Sequence, residues 1–176
     1  MMLEVRALSI RQPYVEEIIT GRKLFEWRVW TTRYRGPVLL HASLTPADRT
    51  GRDLPRGGFV AASLLEDIDD FGTEYGWVFE PVVRLPRLIA YQGRLNLFRV
   101  DLSSLKRSDS SVIRAALSEV ERLDREYRES ASGRRGRTRG PSAKHQGQGE
   151  RTRAGKQSRT RNNTPKRSSK GSGSTR

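Results

Sequence analysis

Apolar positions along the first hundred residues fall into short runs separated by turn-forming residues. Val5 to Ile10 reads as a strand, and Pro13 after it suits the first turn of a helix, where its missing N–H would have no partner anyway. Tyr14, Val15, Ile18 and Ile19 follow at helical spacing and Gly21 stands where a left-handed C-cap belongs, so a short helix is predicted over 13–20. Phe25 to Trp30 mixes aromatic and β-branched residues with charges that partly alternate, the pattern of a half-buried strand. Gly36-Pro37 breaks the chain before Val38 to Ala42. Further strands are predicted over Phe59 to Leu65, Trp77 to Val83 and Asn96 to Asp101. Trp27, Trp30 and Trp77 are assigned to the core, as strand aromatics usually are. Several short strands with one short helix predict an α+β domain built as a small mixed barrel.

From Ser111 to Ser130 the period changes. Ile113, Leu117, Val120, Leu123 and Tyr127 recur every three or four residues, which predicts an amphipathic helix. Glu121/Arg125 and Asp124/Arg128 stand at i, i+4 and add a few tenths of a kcal/mol each. The apolar stripe needs a cover, and packing on the domain is favoured over packing on a second copy. Beyond Ser132 the pattern stops, since 133–176 holds only Ala143 and Ala154 as apolar residues. Ordering a residue costs about 1–2 kcal/mol of backbone entropy, which this stretch cannot offset by burial, so a disordered tail is expected. The expected organisation is a domain over 1–103, a helical segment over 104–132 and a tail over 133–176.

Charge sharpens that division. The 176 residues carry a net +14. Residues 1–103 are nearly neutral, with 14 Lys and Arg against 13 Asp and Glu, and 104–132 balance at 6 of each. Residues 133–176 hold 14 basic residues against Glu150 alone. Arg and Lys interleaved with Gly, Ser and Thr suit phosphate contacts with polyanions, whereas anchoring on a membrane would need apolar residues. The absence of cysteine removes disulfides and thiolate chemistry, and His41 and His145 are not expected to form a clustered metal site, since the second lies in the tail. No metal and no cofactor are expected. Neither an apolar run of membrane-spanning length nor a signal-peptide pattern is seen, so a cytoplasmic location is expected. Four acids within Ser63 to Asp70 match no cation-binding loop and read as a strand end running into a solvated turn.

The stretch with most chemistry is Gly21-Arg22-Lys23-Leu24-Phe25-Glu26-Trp27-Arg28. On a strand beginning near Leu24, Glu26 and Arg28 share one face, and Lys23 stands at its start. Two cations and a carboxylate there could hold a nucleobase or phosphate, or do acid-base work; equally, Glu26 could pair with Arg28 or Lys23 on a solvated face. Ser9 and Gln12 form either a capping box for the helix or ligand contacts. Arg11 points into a cleft or into solvent. His41, on an apolar strand, reads as a packed, hydrogen-bonded histidine rather than a catalytic base.

Ala7-Leu8-Ser9-Ile10-Arg11-Gln12-Pro13-Tyr14, Gly21-x-Lys23-x-x-Glu26-x-Arg28, Tyr34-Arg35-Gly36-Pro37 and His41-Ala42-Ser43, in that order, closely resemble the ASCH domain family, a branch of the PUA-like β-barrels with G-x-K-x-x-E-x-R as its signature. Trp77-Val78-Phe79 and Tyr91 to Phe98 resemble that family's closing strands. The likeness spans Leu3 to Leu102. It implies a barrel with a cleft beneath the helix lined by Lys23, Glu26 and Arg28, and it implies RNA binding. Some members resembling it are amidohydrolases that remove the acetyl group of N4-acetylcytidine with a Lys, a nucleophilic Thr three positions on and a more distant Glu. Here Lys23 matches, the Thr position falls on Glu26, and Glu66, Asp67, Glu74 and Glu80 are available for the distant acid, Glu74 being favoured. The expected function is therefore binding of RNA or a nucleotide through Ser9, Arg11, Gln12, Lys23, Glu26 and Arg28, with polyanion affinity in the tail. The alternative is an enzyme, an amidohydrolase acting on a modified pyrimidine nucleoside or a ribonuclease.

Overall fold

Strand β1 (Glu4–Ile10) sorts its side chains by the two-residue strand period: Val5 and Ala7 join one apolar cluster, Leu8 and Ile10 another on the opposite face. The structure, a computed structural model, describes residues 4–135; helix runs through 133–135, where the tail was expected to begin, and the rest of the expected tail lies outside the described residues. After β1 come α1 (Tyr14–Ile19), β2 (Glu26–Arg28), β3 (Gly36–Ala42), β4 (Gly58–Asp70), β5 (Tyr75–Ala90) and β6 (Leu97–Asp101). A single 3-10 turn (Leu102–Ser104) leads into α2 (Arg107–Arg135).

The strands form one six-stranded sheet in the order β2-β5-β4-β3-β1-β6. Only β1 and β3 run parallel, with Ser9 opposite His41; the remaining pairings are antiparallel. The sheet is not closed into the expected barrel. β2 and β6 remain its two ends, and a closed barrel would need them to pair. Register shifts in the β4–β5 pairing disturb the ladder at Phe59/Ala61, Ser63/Leu65 and Leu65/Asp67, yet β2 is only three residues long and pairs with β5 alone. Both faces are instead covered by helices. Val15 and Ile18 of α1 pack with Leu8, Leu40 and Trp77, while Ile113, Leu117 and Val120 of α2 pack with Leu39, Phe59 and Phe98. Fully burying an aliphatic side chain of this size contributes about 1.5–3 kcal/mol.

Most differences from the sequence reading lie at element ends. β5 runs on to Ala90, well past the expected Val83, and Tyr91 to Asn96 is a loop rather than part of a closing strand. Pro13 takes the N-cap position, and Tyr14 begins the helix. The Ser9/Gln12 capping box does not form. Ser9 turns its hydroxyl to His41, and Gln12 Oε1 alone accepts from the Glu16 N–H, at 3.3 Å. Gly21 has φ 71°, the left-handed turn its place predicted, and Arg22 and Lys23 N–H both fold back onto the Glu17 carbonyl. Trp77 is fully buried, with Trp30 edge-on against it at 4.6 Å between ring centroids. Trp27 is not core. It stands 42% exposed because Glu26 and Arg28 take the inward positions of β2. Among the described residues no helix is long and apolar enough to cross a membrane.

Candidate functional site

The parallel pair β1 and β3 ends at a cleft of about 930 Å³. Ligand sites in mixed sheets gather at the carboxyl ends of parallel strands, where successive chains part in different directions. Here β1 departs into α1 and β3 into the loop that begins at Ser43. The loop after β5 closes the third side with Tyr91, Gly93 and Arg94, and β2 contributes Glu26 and Arg28.

Glu26 is the centre of charge. Its residue is only 6% exposed, and its carboxylate receives Lys23 Nζ at 2.6 Å and Arg28 Nη2 at 3.1 Å. The Gly21 turn makes this possible by returning Lys23 toward the start of β2. Lys23 Nζ also lies 4.5 Å from the centre of the Tyr14 ring, a cation–π contact that packs it against α1. Arg28 Nη2 makes a further bond, donating to the Ser9 carbonyl oxygen at 2.9 Å and tying β2 to the end of β1. Burial pulls the Arg28 guanidinium below its ordinary value and the Glu26 charge pulls it back up. Arg28 Nε is buried with no hydrogen-bond partner, a cost of about 1–3 kcal/mol that the surrounding fold sustains.

Beside this group Ser9 Oγ is 3.2 Å from His41 Nδ1, while His41 Nε2 is 2.9 Å from the Tyr91 carbonyl oxygen. A carbonyl can only accept, so the proton sits on Nε2 and the Ser9 hydroxyl donates to Nδ1. Burial, the larger influence, lowers the affinity of the imidazole for a second proton, and the backbone carbonyls of Tyr91 and of His41 itself partly restore it.

Of the residues predicted for the site, Ser9, Arg11, Glu26 and Arg28 line the cleft together. Lys23 is outside the lining and touches it through Glu26 and the Tyr14 ring. Gln12 is fully buried, with Nε2 donating to the Pro55 carbonyl at 3.0 Å, so its carboxamide joins parts of the scaffold. Glu74 is exposed at the β4–β5 turn and outside the lining. The sequence reading overlooked Tyr14, Ser43, Thr45, Gln92, Arg94 and Asn96, which also line the cleft. For Gln92, Arg94 and Asn96 the signal was a polar, glycine-bearing stretch after a strand, but the long β5 hid where that strand ends. A second groove of about 550 Å³ runs between Pro37, Leu64 and the last turns of α2; Asp124 and Arg128 in its wall pair with each other at 2.8 Å. Among the described residues no group of three or more acidic or histidine side chains is placed to hold a metal ion.

No curated protein sequence matches the chain. The model of the ASCH domain matches it over residues 8–129, from the end of β1 through most of α2, and the chain belongs to the ASCH domain family.

Proposed function

We propose that the cleft binds RNA or a nucleotide-sized ligand bearing phosphate. The observation that carries this reading is local charge: the lining has Arg11, Arg28 and Arg94 against Glu26 alone, in a segment that is otherwise nearly neutral. Leu44 and Leu95, 74% and 89% exposed, add apolar surface for the flat face of a base. Ser43, Thr45, Gln92 and Asn96 add donors and acceptors for its edge. The association of ASCH domains with RNA, and the PUA-like relationship of that family, support the same reading. The basic residues of 133–176 then supply salt-sensitive affinity for phosphate without base information. Binding is preferred over amidohydrolase or ribonuclease activity because Lys23 and Glu26 engage each other and Glu74 stands away from the cleft.

The test is titration of the full chain with a fluorescent mononucleotide at moderate salt. Arg28→Ala removes charge-assisted bonds worth about 1.5–3 kcal/mol each, so affinity should fall roughly 10- to 100-fold. Equal affinity in the variant would remove the cleft as the binding site.

A further inference from the structure

We propose that Ser9 and His41 form a hydrolytic dyad in the wall of the cleft, with Ser9 Oγ as the nucleophile toward carboxylic esters that carry an anionic group. The parallel register of β1 and β3 sets the two residues opposite each other. The Tyr91 carbonyl holds the proton of His41 on Nε2, so the Nδ1 lone pair faces the Ser9 hydroxyl at 3.2 Å. A serine nucleophile needs its hydroxyl donating to a neutral, oriented imidazole, and this is that arrangement. Burial of His41 favours its neutral form.

A Ser–His pair that only fills a gap in a core needs no access to a cavity. Both of these residues line the cleft. Gly93 lies over them, and a Cβ there would come within 2.8 Å of Ser9 Oγ and 2.6 Å of His41 Cε1. Only a glycine fits this close to the Ser9–His41 hydrogen bond. Arg28, donating to the Ser9 carbonyl oxygen at 2.9 Å, fixes the backbone of the nucleophile.

In the first step Ser9 Oγ bonds to the ester carbonyl carbon and its proton passes to His41 Nδ1. Collapse of the tetrahedral intermediate breaks the ester C–O bond, and the departing alkoxide takes that proton and leaves as the alcohol. Water then attacks the acyl-serine, giving a proton to His41 Nδ1. The second collapse returns the proton to Ser9 Oγ and releases the carboxylic acid. The group that orients His41 is a neutral carbonyl, which supports the transient imidazolium less than a carboxylate would. In a serine protease triad, neutralising the orienting aspartate lowers turnover about 10⁴-fold. Esters, whose leaving groups depart more readily than amines, are therefore the substrate class. Arg11 and Arg94, both exposed and in the lining, suit an anionic group on the substrate.

The dyad lies in the same cleft as the proposed nucleotide site and is tested on the full chain with a fluorophosphonate probe, the adduct being located by peptide mass mapping. Ser9 should be labelled at least about 100-fold faster in the native chain than in urea, since positioned general bases contribute roughly 10²–10⁴-fold. Labelling should slow as acidification protonates His41, a dependence that a merely structural pair does not give. Gly93→Ala, which keeps both dyad atoms and covers the hydroxyl, should lose the adduct. No adduct on Ser9 in the native chain, or labelling no faster than in urea, overturns the dyad. So does labelling that is insensitive to both pH and Gly93→Ala. Mononucleotide binding measured on the same wild-type preparation separates the two readings: binding without an adduct removes the dyad alone.

Discussion

Glu26 faces inward on β2 and Trp27 outward, the reverse of what hydropathy alone would choose. The inversion is sustained from both sides. Inward, Lys23 and Arg28 compensate the buried carboxylate. Outward, Trp27 packs with Phe25 and Phe71 at ring-centroid distances of 5.5 and 5.0 Å. Gly76, opposite Trp27 in the register, gives these rings room, because a Cβ there would lie 2.8 Å from the Phe25 ring and 2.9 Å from that of Phe71. Glu26→Ala leaves two partly buried cations without their shared anion, and should cost about 3 kcal/mol in urea unfolding. His41 sets a pH dependence. Its folded proton affinity lies below the unfolded value, so its stabilising contribution is complete above about pH 6.5 and is lost as pH falls through the folded value. In that window the unfolded chain takes up a proton that the folded chain does not. Urea midpoints measured from pH 7.5 downward should therefore fall more steeply for the wild type than for His41→Gln.

At the scale of elements, α2 shows how an apolar stripe divides between use and exposure. Ile113, Leu117 and Val120 are buried against the sheet, whereas Tyr127, on the same predicted stripe, is 66% exposed. Ion pairs occupy the outer turns: Arg122 reaches both Glu119 and Glu126, and Asp124 pairs with Arg128. Such exposed pairs contribute little individually. Leu117→Ala should accordingly destabilise the fold by about 2–5 kcal/mol, and Tyr127→Ala by less than about 0.5 kcal/mol. Thermal unfolding of the two variants side by side checks this, and comparable losses would contradict the burial just described. The helix pattern was legible because its residues lie three and four apart. What covers the stripe was open until Phe59 and Phe98, distant in the chain, were seen beneath it.

For the whole molecule, the nearly neutral residues 1–103 and the basic residues 133–176 predict two kinds of affinity. Each phosphate neutralised on single-stranded RNA steepens the salt dependence by about 0.7 in log–log slope. Binding of a long RNA to the full chain should therefore weaken steeply with salt, while mononucleotide binding in the cleft, with fewer phosphates, should weaken little. Arg28→Ala should weaken the second roughly 10- to 100-fold and leave most of the slope of the first. Fluorescence anisotropy over a salt series with both ligands separates the contributions.

Sequence alone determined what depends on neighbours along the chain. Strand alternation, the α1 and α2 periodicities, the Gly21 turn and the Lys23, Glu26, Arg28 grouping rest on contacts within a few residues, and charge partition requires only counting. Tertiary structure decided what depends on pairing across the chain. Ser9 meets His41 across 32 positions, and Arg28 reaches the Ser9 carbonyl across 19, because β1 and β3 align in parallel and β2 folds back beside them. Gln12 and Glu74 looked like site residues by type, yet one was taken into the scaffold and the other left at a hairpin turn. The physical reason is register. A strand's two-residue period tells which residues share a face, but only the partner strand decides what that face meets.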